Sequence, residues 1–330
     1  MPLTLFAIIV GLSIAYGYLN GLHGSANIVA TMISSRALAP RQALLLAAIG
    51  ISAGPFLLGV AVANTLGAEL IDVPQESMSQ IVIGGMLGAI VWSSLTLWLK
   101  IPSSISQSLV GGLIGAVWVG FGVESVKLPG LYKTLVGLFL SPVLGLFTAF
   151  WLVRLSYGLA ASATPHVNRW FNRGQVLVSI LMAISFGAND GQKVIAMLTM
   201  GLLATGLISS FTVPTWVVVL SALAIGLGTL TGGWRLIHTL GGKFYKIRPI
   251  HGLGAQLASG GVLFFASLLG APVSGSQVVT SAIVGAGSAD RIQKVRWGVV
   301  QNILIGWLLT IPMSGLIGAL AFLLIERIIP

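Results

Sequence analysis

The sequence predicts an all-α polytopic membrane protein: two inverted-topology repeats with broken helices, about ten crossings in all. Three observations carry this. Hydrophobic residues make up 56% of the 330, only 7% are charged, and the mean hydropathy is +0.99. A soluble chain of this length could not bury so much apolar surface, whereas lipid accepts it as outward-facing surface. Apolar runs long enough for a membrane helix recur along the whole chain, continuous rather than alternating, which argues against a β-barrel. Finally, one short polar pattern occurs twice, 170 positions apart.

The first apolar run extends from Leu3 to about Leu22 and stays apolar to Ile33, far longer than one span needs. Further crossings are expected near 42–66, 80–99, 103–122, 131–155, 175–208, 215–234, 251–269, 273–289 and 297–325. The runs at 3–33 and 175–208 are interrupted by glycine and polar residues, which predicts broken helices. With no positive stretch ahead of it, the first run is expected to be retained rather than cleaved as a signal. The 43 glycines suit helices that approach closely in lipid.

Charge sets the orientation. Arg36 and Arg41, Lys100, then Arg154, Arg169 and Arg173 follow the first, third and fifth crossings. Arg235, Lys243, Lys246 and Arg248 follow the seventh, and Arg291, Lys294 and Arg296 the ninth. The loop 67–79 carries Glu69, Asp72 and Glu76 and no base, while Lys127 and Lys133 break the pattern beside Glu124. The positive-inside rule places the basic loops in the cytoplasm and both termini outside. The net charge of +10 therefore belongs to membrane loops and indicates no nucleic-acid partner. With no cysteine, disulfides and thiolate metal sites are excluded.

Five crossings per half would invert one half against the other, and the duplicated pattern fits this. IPSSISQSLVGGLIGAV (Ile101 to Val117) and APVSGSQVVTSAIVGAG (Ala271 to Gly287) both read Pro-x-Ser-x-Ser-Gln before a glycine-rich apolar helix. Pro102 is expected at the inner end of its segment and Pro272 at the outer end of its own. The domain division is then 1–160 for the first repeat, 161–174 for a polar cytoplasmic linker and 175–330 for the second repeat.

Proline is tolerated in a first helical turn, whose free N–H groups and positive dipole end, with two hydroxyls added, make an anion site. On the plainer reading Ser104, Ser106, Ser274 and Ser276 only cap their helices. Two such helix ends entering from opposite faces favour an anion between them. In the second half SFGANDGQKVIAM (Ser185 to Met197) places Asp190 and Lys193 inside apolar sequence. Charges at that depth cost about 2.5–3.5 kcal/mol each, so they pair or serve a pathway. Mutual neutralisation at i and i+3 is one reading. The other makes Asp190 a carrier of the coupling proton or cation and Lys193 the positive charge that meets an anion. In the first half Gly24 stands where Asp190 does, Asn27 opposite Lys193, and His23 opposite Asn189. A histidine there is either structural or a proton relay.

These motifs resemble the PiT family of inorganic phosphate transporters. GANDGQKVIAM is similar to its bacterial members, GLHGSANIVATMISSRAL to their first motif copy, and APVSGSQ and IPSSISQ to the serine segments. Gln107 and Gln277 stand where histidine is usual, Gly24 replaces a usual aspartate, and Ile105 and Gly275 replace hydroxyl residues. The resemblance implies an all-helical inverted repeat, homodimeric, that imports phosphate with a coupling cation. Bacterial members with this motif are associated with protons and metal–phosphate complexes, others with sodium. The lost carboxylate favours protons.

The expected function is therefore a multi-pass transporter of the cytoplasmic membrane, in contact with lipid, for inorganic phosphate or a related tetrahedral anion. The expected substrate-binding residues are Asn27, Ser104, Ser106, Gln107, Asn189, Lys193, Ser274, Ser276 and Gln277, with Asp190 and His23 for coupling and no metal or other cofactor. Sulfate is the alternative anion. A carboxylate acceptor beside the site favours hydrogen phosphate, which can donate a hydrogen bond. A passive channel would need a continuous polar lining, and the polar residues are clustered instead. No HExxH, catalytic triad, paired carboxylates or P-loop appears, so neither an enzyme nor an ATP-driven pump is expected.

Overall fold

The computed structural model describes residues 2–99, 101, 103–162, 164, 166–233, 237, 245 and 247–328. Pro102, Lys100, Arg235, Lys243 and Lys246, used in the sequence reading, lie outside the described residues. Among the described residues the regular structure is helical, with one isolated bridge between Ile71 and Val126. In chain order the helices are α1 (Pro2–Ser34), α2 (Pro40–Leu57), α3 (Ala61–Asn64), α4 (Gln75–Leu99), α5 (Ile105–Phe121) and α6 (Leu128–Leu159). They continue with α7 (Val167–Ala204), α8 (Thr215–Thr231), α9 (Pro249–Leu268), α10 (Gly275–Asp290) and α11 (Trp297–Ile328). A π-turn, Thr65–Glu69, prolongs α3. Proline in the first turn starts α2, α6 and α9, where its fixed φ suits the helix and its missing N–H costs nothing. Gly122 (φ 80°) and Gly232 (φ 68°) end α5 and α8 in a conformation that other residues resist. The first part of the predicted linker is non-helical where described, but residues 167–174 already belong to α7.

At about 57 Å, α7 runs the length of the molecule and defines its two ends. At its start the Ser35 hydroxyl donates to Gln175 Oε1 (2.7 Å), and Tyr157 Oη meets His251 Nε2 (2.9 Å) nearby. Arg36, Arg154, Arg248, Arg291, Lys294 and Arg296 gather at this end, the one that the positive-inside rule predicts to face the cytoplasm. At its finish Gln75 Nε2 donates to Leu203 O (2.6 Å). Here Lys127 lies 3.6 Å from Asp72 and Lys133 3.4 Å from Glu69, so the two bases that broke the charge pattern sit in acidic company.

The ten crossings are not what the helices supply. Among the described residues five helices are long and apolar enough to span, or six if α2 and the α3 stretch, bent by 69° at their junction, count as one. With 17 and 16 residues, α5 and α10 reach only about 25 Å, short of a hydrocarbon core of about 30 Å. They are the returning arms of two hairpins. The α4–α5 hairpin starts and finishes at the acidic end, where Ile71 pairs with Val126, and α9–α10 starts and finishes at the basic end, where Tyr245 Oη donates to Ile283 O (2.9 Å). Their tips meet inside the protein. Pro272 is therefore at an interior tip and not at the outer end of a crossing. The long closing helix of each half holds the other half's hairpin: α11 packs on α5 and α6 on α10.

The expected breaks in the first and seventh helices are absent as well; α1 and α7 are continuous. Their glycines permit contact between helices instead of unwinding. A Cβ on Gly21 would collide with Ile225 O of α8, and one on Gly187 with Ile51 O of α2. Among the described residues the helices break where the hairpins turn, at 101, 103–104 and 269–274, and between α2 and α3. Buried apolar side chains form two clusters. One toward the basic end includes Phe186 and Val273, and the other includes Ile105 and Val194. Asp190 lies between them.

Candidate functional site: a polar centre between two hairpin tips

Each hairpin tip ends in an extended serine that caps the returning helix. Ser104 Oγ accepts from Gln107 N (3.1 Å) and Ser274 Oγ from Gln277 N (3.3 Å), so both caps form as the sequence allows. The caps also touch: Ser104 Oγ donates to Ser274 Oγ at 2.7 Å, and Ser276 Oγ lies 3.1 Å from Ser274 Oγ. Two positive helix ends thus face one another in the interior, with Ser104, Ser106 and Ser274 buried and Ser276 half-buried.

The α7 motif surrounds this contact, each polar residue with a separate task. Asn189 Nδ2 donates to Ala271 O (3.1 Å) and to Ser267 Oγ (3.4 Å), and Asn189 Oδ1 accepts from Val273 N (3.2 Å). It holds the extended segment before α10. Gln192 Oε1 accepts from Val62 N (2.6 Å) and Ala63 N (3.2 Å), capping α3. Gly191 leaves space for Pro55, and Ser221 Oγ donates to Gly191 O (2.8 Å).

Lys193 is 1% exposed and Asp190 2%. The Lys193 ammonium donates to Asp190 Oδ1, to Ser106 Oγ (2.6 Å) and to Val273 O (2.7 Å). All three of its protons are taken, so in this conformation it offers none to an anion. Ser106 Oγ in turn lies 3.5 Å from Asp190 Oδ1. Ion pairing offsets part of the cost of burying either charge, and the serine and carbonyl complete the ammonium's hydrogen bonds.

Beside the pair lies a polar pocket of about 10 Å³, lined by residues that include His23, Gly24, Asn27, Ser103, Ser106, Asp190 and Ser276. That volume holds one water and no phosphate. The His23 ring nitrogen Nδ1 meets Leu19 O (3.0 Å), and Asn27 Nδ2 donates to His23 O (3.1 Å). Of the expected site residues, His23, Asn27, Ser104, Ser106, Asn189, Asp190, Lys193, Ser274 and Ser276 come together. Gln107 and Gln277 do not. They line a cleft of about 360 Å³ between α6 and α11, beside Trp307. The sequence reading missed Ser103, Val273, Asn20 and Gln192. Ser103 and Val273 lie inside the duplicated pattern, one residue after each proline, and could have been found by asking what the backbone there does. Asn20, whose Nδ2 reaches Asp190 O at 3.5 Å, carries no such signal.

The chain resembles known proteins along its whole length. The model of the phosphate transporter family matches residues 20–165 and again 156–318. A "Probable low-affinity inorganic phosphate transporter" of Bacillus subtilis is 35% identical over 99% of this chain and 98% of its own length. A Rhizobium meliloti protein of the same description is 38% identical over 96% of each chain. The solved structure described as "The sodium-dependent phosphate transporter" superposes with a TM-score of 0.89 at 22% identity, covering 98% of this chain and all of that one, which establishes the fold. Matched in both halves and end to end, this multi-pass protein of the cell membrane belongs to the phosphate transporter family.

Proposed function

We propose that this chain is a secondary transporter that imports inorganic phosphate across the cytoplasmic membrane, driven by a proton gradient rather than a sodium gradient. The observation that carries the reading is the meeting of two capped helix N-termini at Ser104 and Ser274, 2.7 Å apart, in the middle of the protein. Such ends attract an anion, and four serine hydroxyls beside them suit a tetrahedral one. The names borne by the relatives, low-affinity inorganic phosphate transporters, support the same substrate. Asp190 favours hydrogen phosphate over sulfate, because a carboxylate accepts the hydrogen bond that hydrogen phosphate donates.

In this reading the two halves are inverted repeats, and their hairpins, entering from opposite ends, open in turn. The pocket of about 10 Å³ is then a closed state, and substrate enters when one tip withdraws from the other. Ser104, Ser106, Ser274 and Ser276 hold the phosphate oxygens. Asp190 is the coupling carboxylate, His23 and Asn27 line the approach, and Asn189 positions the α10 tip. Metal–phosphate complexes are a further cargo to test, and a homodimer is the expected assembly.

The test is uptake of radiolabelled phosphate and sulfate into proteoliposomes, with inward proton and sodium gradients imposed separately. Accumulation of phosphate above equilibrium under the proton gradient is expected. Preferred sulfate uptake would reassign the substrate, and uptake that only equilibrates under every gradient would make the protein a channel.

A further inference from the structure

We infer that the Lys193 ammonium is a built-in cation, filling a site that would otherwise take a small alkali ion. The inference rests on the transport reading above and deepens it, naming what the coupling site has given up. The ammonium sits among three oxygens of different origin: the Asp190 carboxylate, the Ser106 hydroxyl at 2.6 Å and the Val273 carbonyl at 2.7 Å. A carboxylate, a hydroxyl and a backbone carbonyl freed from helical pairing are the oxygen set that hard cations and discontinuous membrane helices use. The carboxylate alone would leave two ammonium protons unpaired, and the carbonyl takes one of them. It is held in place by a separate device, since Asn189 binds the backbone leading into it, at Ala271 O and Val273 N. The cage is also shared among three elements: α7 supplies Asp190 and Lys193, α5 supplies Ser106, and the tip of the other hairpin supplies Val273. A cation there ties both hairpins to α7.

The related positions of the first half support this. Gly24 and Asn27 of α1, with Ser103 and Ser276 from the two tips, line the small pocket beside the pair. The first half adds hydroxyl and amide groups to this pocket but no charge of its own; its one carboxylate is Asp190, which the Lys193 ammonium already balances. One cage is therefore filled by the chain itself, and the other has no unbalanced negative charge to hold a monovalent ion. The wild-type protein should bind no sodium in the site and should need none.

Emptying the cage tests this on the full-length purified protein. Thermal unfolding would be followed in sodium chloride and in choline chloride at equal ionic strength, for wild type, Lys193→Ala and the double variant Lys193→Ala with Asp190→Asn. Wild type should unfold at the same temperature in both salts. Lys193→Ala should unfold about 3 °C or more higher in sodium, because an ion that binds only the folded state stabilises it. The double variant should not respond. Should Lys193→Ala survive purification only in sodium, equilibrium binding of radioactive sodium replaces the comparison: one saturable site gained over wild type is expected. Saturable sodium binding by wild type, or a folded Lys193→Ala without a sodium response, would overturn the inference. Failure of wild type to carry phosphate would instead sink the transport reading and leave the sodium result standing.

Discussion

Asn189, Asp190, Gln192 and Lys193 lie within five positions of one helix, yet each serves a different neighbour: the α10 tip, the ammonium, the start of α3, and the cage. Replacing Asn189 by alanine leaves Val273 N and Ala271 O unpaired in a buried place. A loss of about 1–3 kcal/mol is expected, read as a lower thermal unfolding midpoint, together with slower phosphate uptake because the Val273 carbonyl loses its support. Asp190→Asn keeps the shape of the carboxylate but cannot titrate. Accumulation against a gradient should vanish while exchange of external for internal phosphate persists. Loss of both in a folded variant would make Asp190 part of substrate binding rather than coupling. The Asp190–Lys193 pairing was legible from the i and i+3 spacing. The ammonium's other two partners were not, because Ser106 and Val273 lie 87 and 80 residues away on elements that no local pattern links to α7.

Among helices, glycine signals were visible but their meaning was inverted. A glycine-rich polar stretch can unwind a helix or let another backbone come close, and spacing along one chain cannot separate the two. At Gly21 and Gly187 the neighbours are carbonyls of α8 and α2, so contact is the reason. Gly187→Leu should therefore give no monodisperse protein on size exclusion. At Gly11, where nothing lies within 4 Å, alanine should change stability by no more than about 0.5 kcal/mol. The hairpin tips admit a matched test. Ser104→Ala and Ser274→Ala each remove a cap worth about 0.5–2 kcal/mol and a hydroxyl from the helix contact. Each should raise the KM for phosphate, and equal effects at the two tips are expected. Unchanged KM in both, with the expected loss of stability, would reduce the serines to caps.

Across the whole molecule a cluster of arginines marks one end and the acidic loop of Glu69, Asp72 and Glu76 the other, with Lys127, Lys133 and Asp290 as exceptions that pair locally. In this cysteine-free chain, Asp72→Cys should react with an impermeant thiol reagent applied from outside, and Ile292→Cys should not. Reversed labelling would invert the molecule. The same residues bear on the crossing count: α5 was read as a span, but both ends of the α4–α5 hairpin are on the side of Asp72.

Hydropathy was enough to establish a membrane protein, since it follows from the cost of placing single residues in lipid or water, and the doubled serine segments stand in the sequence itself. The duplicated hexamer even pointed to two helix ends facing one another. What came only from the folded chain was where those ends stop. A run of about 17 apolar residues is compatible with a thin crossing or with half a hairpin, and the choice is made by the partner helix: α11 for α5 and α6 for α10. The same holds for Lys193. Its sequence neighbours define a charged pair, but its role as the cation of a three-oxygen cage depends on a serine and a carbonyl delivered by two hairpins from opposite ends of the molecule.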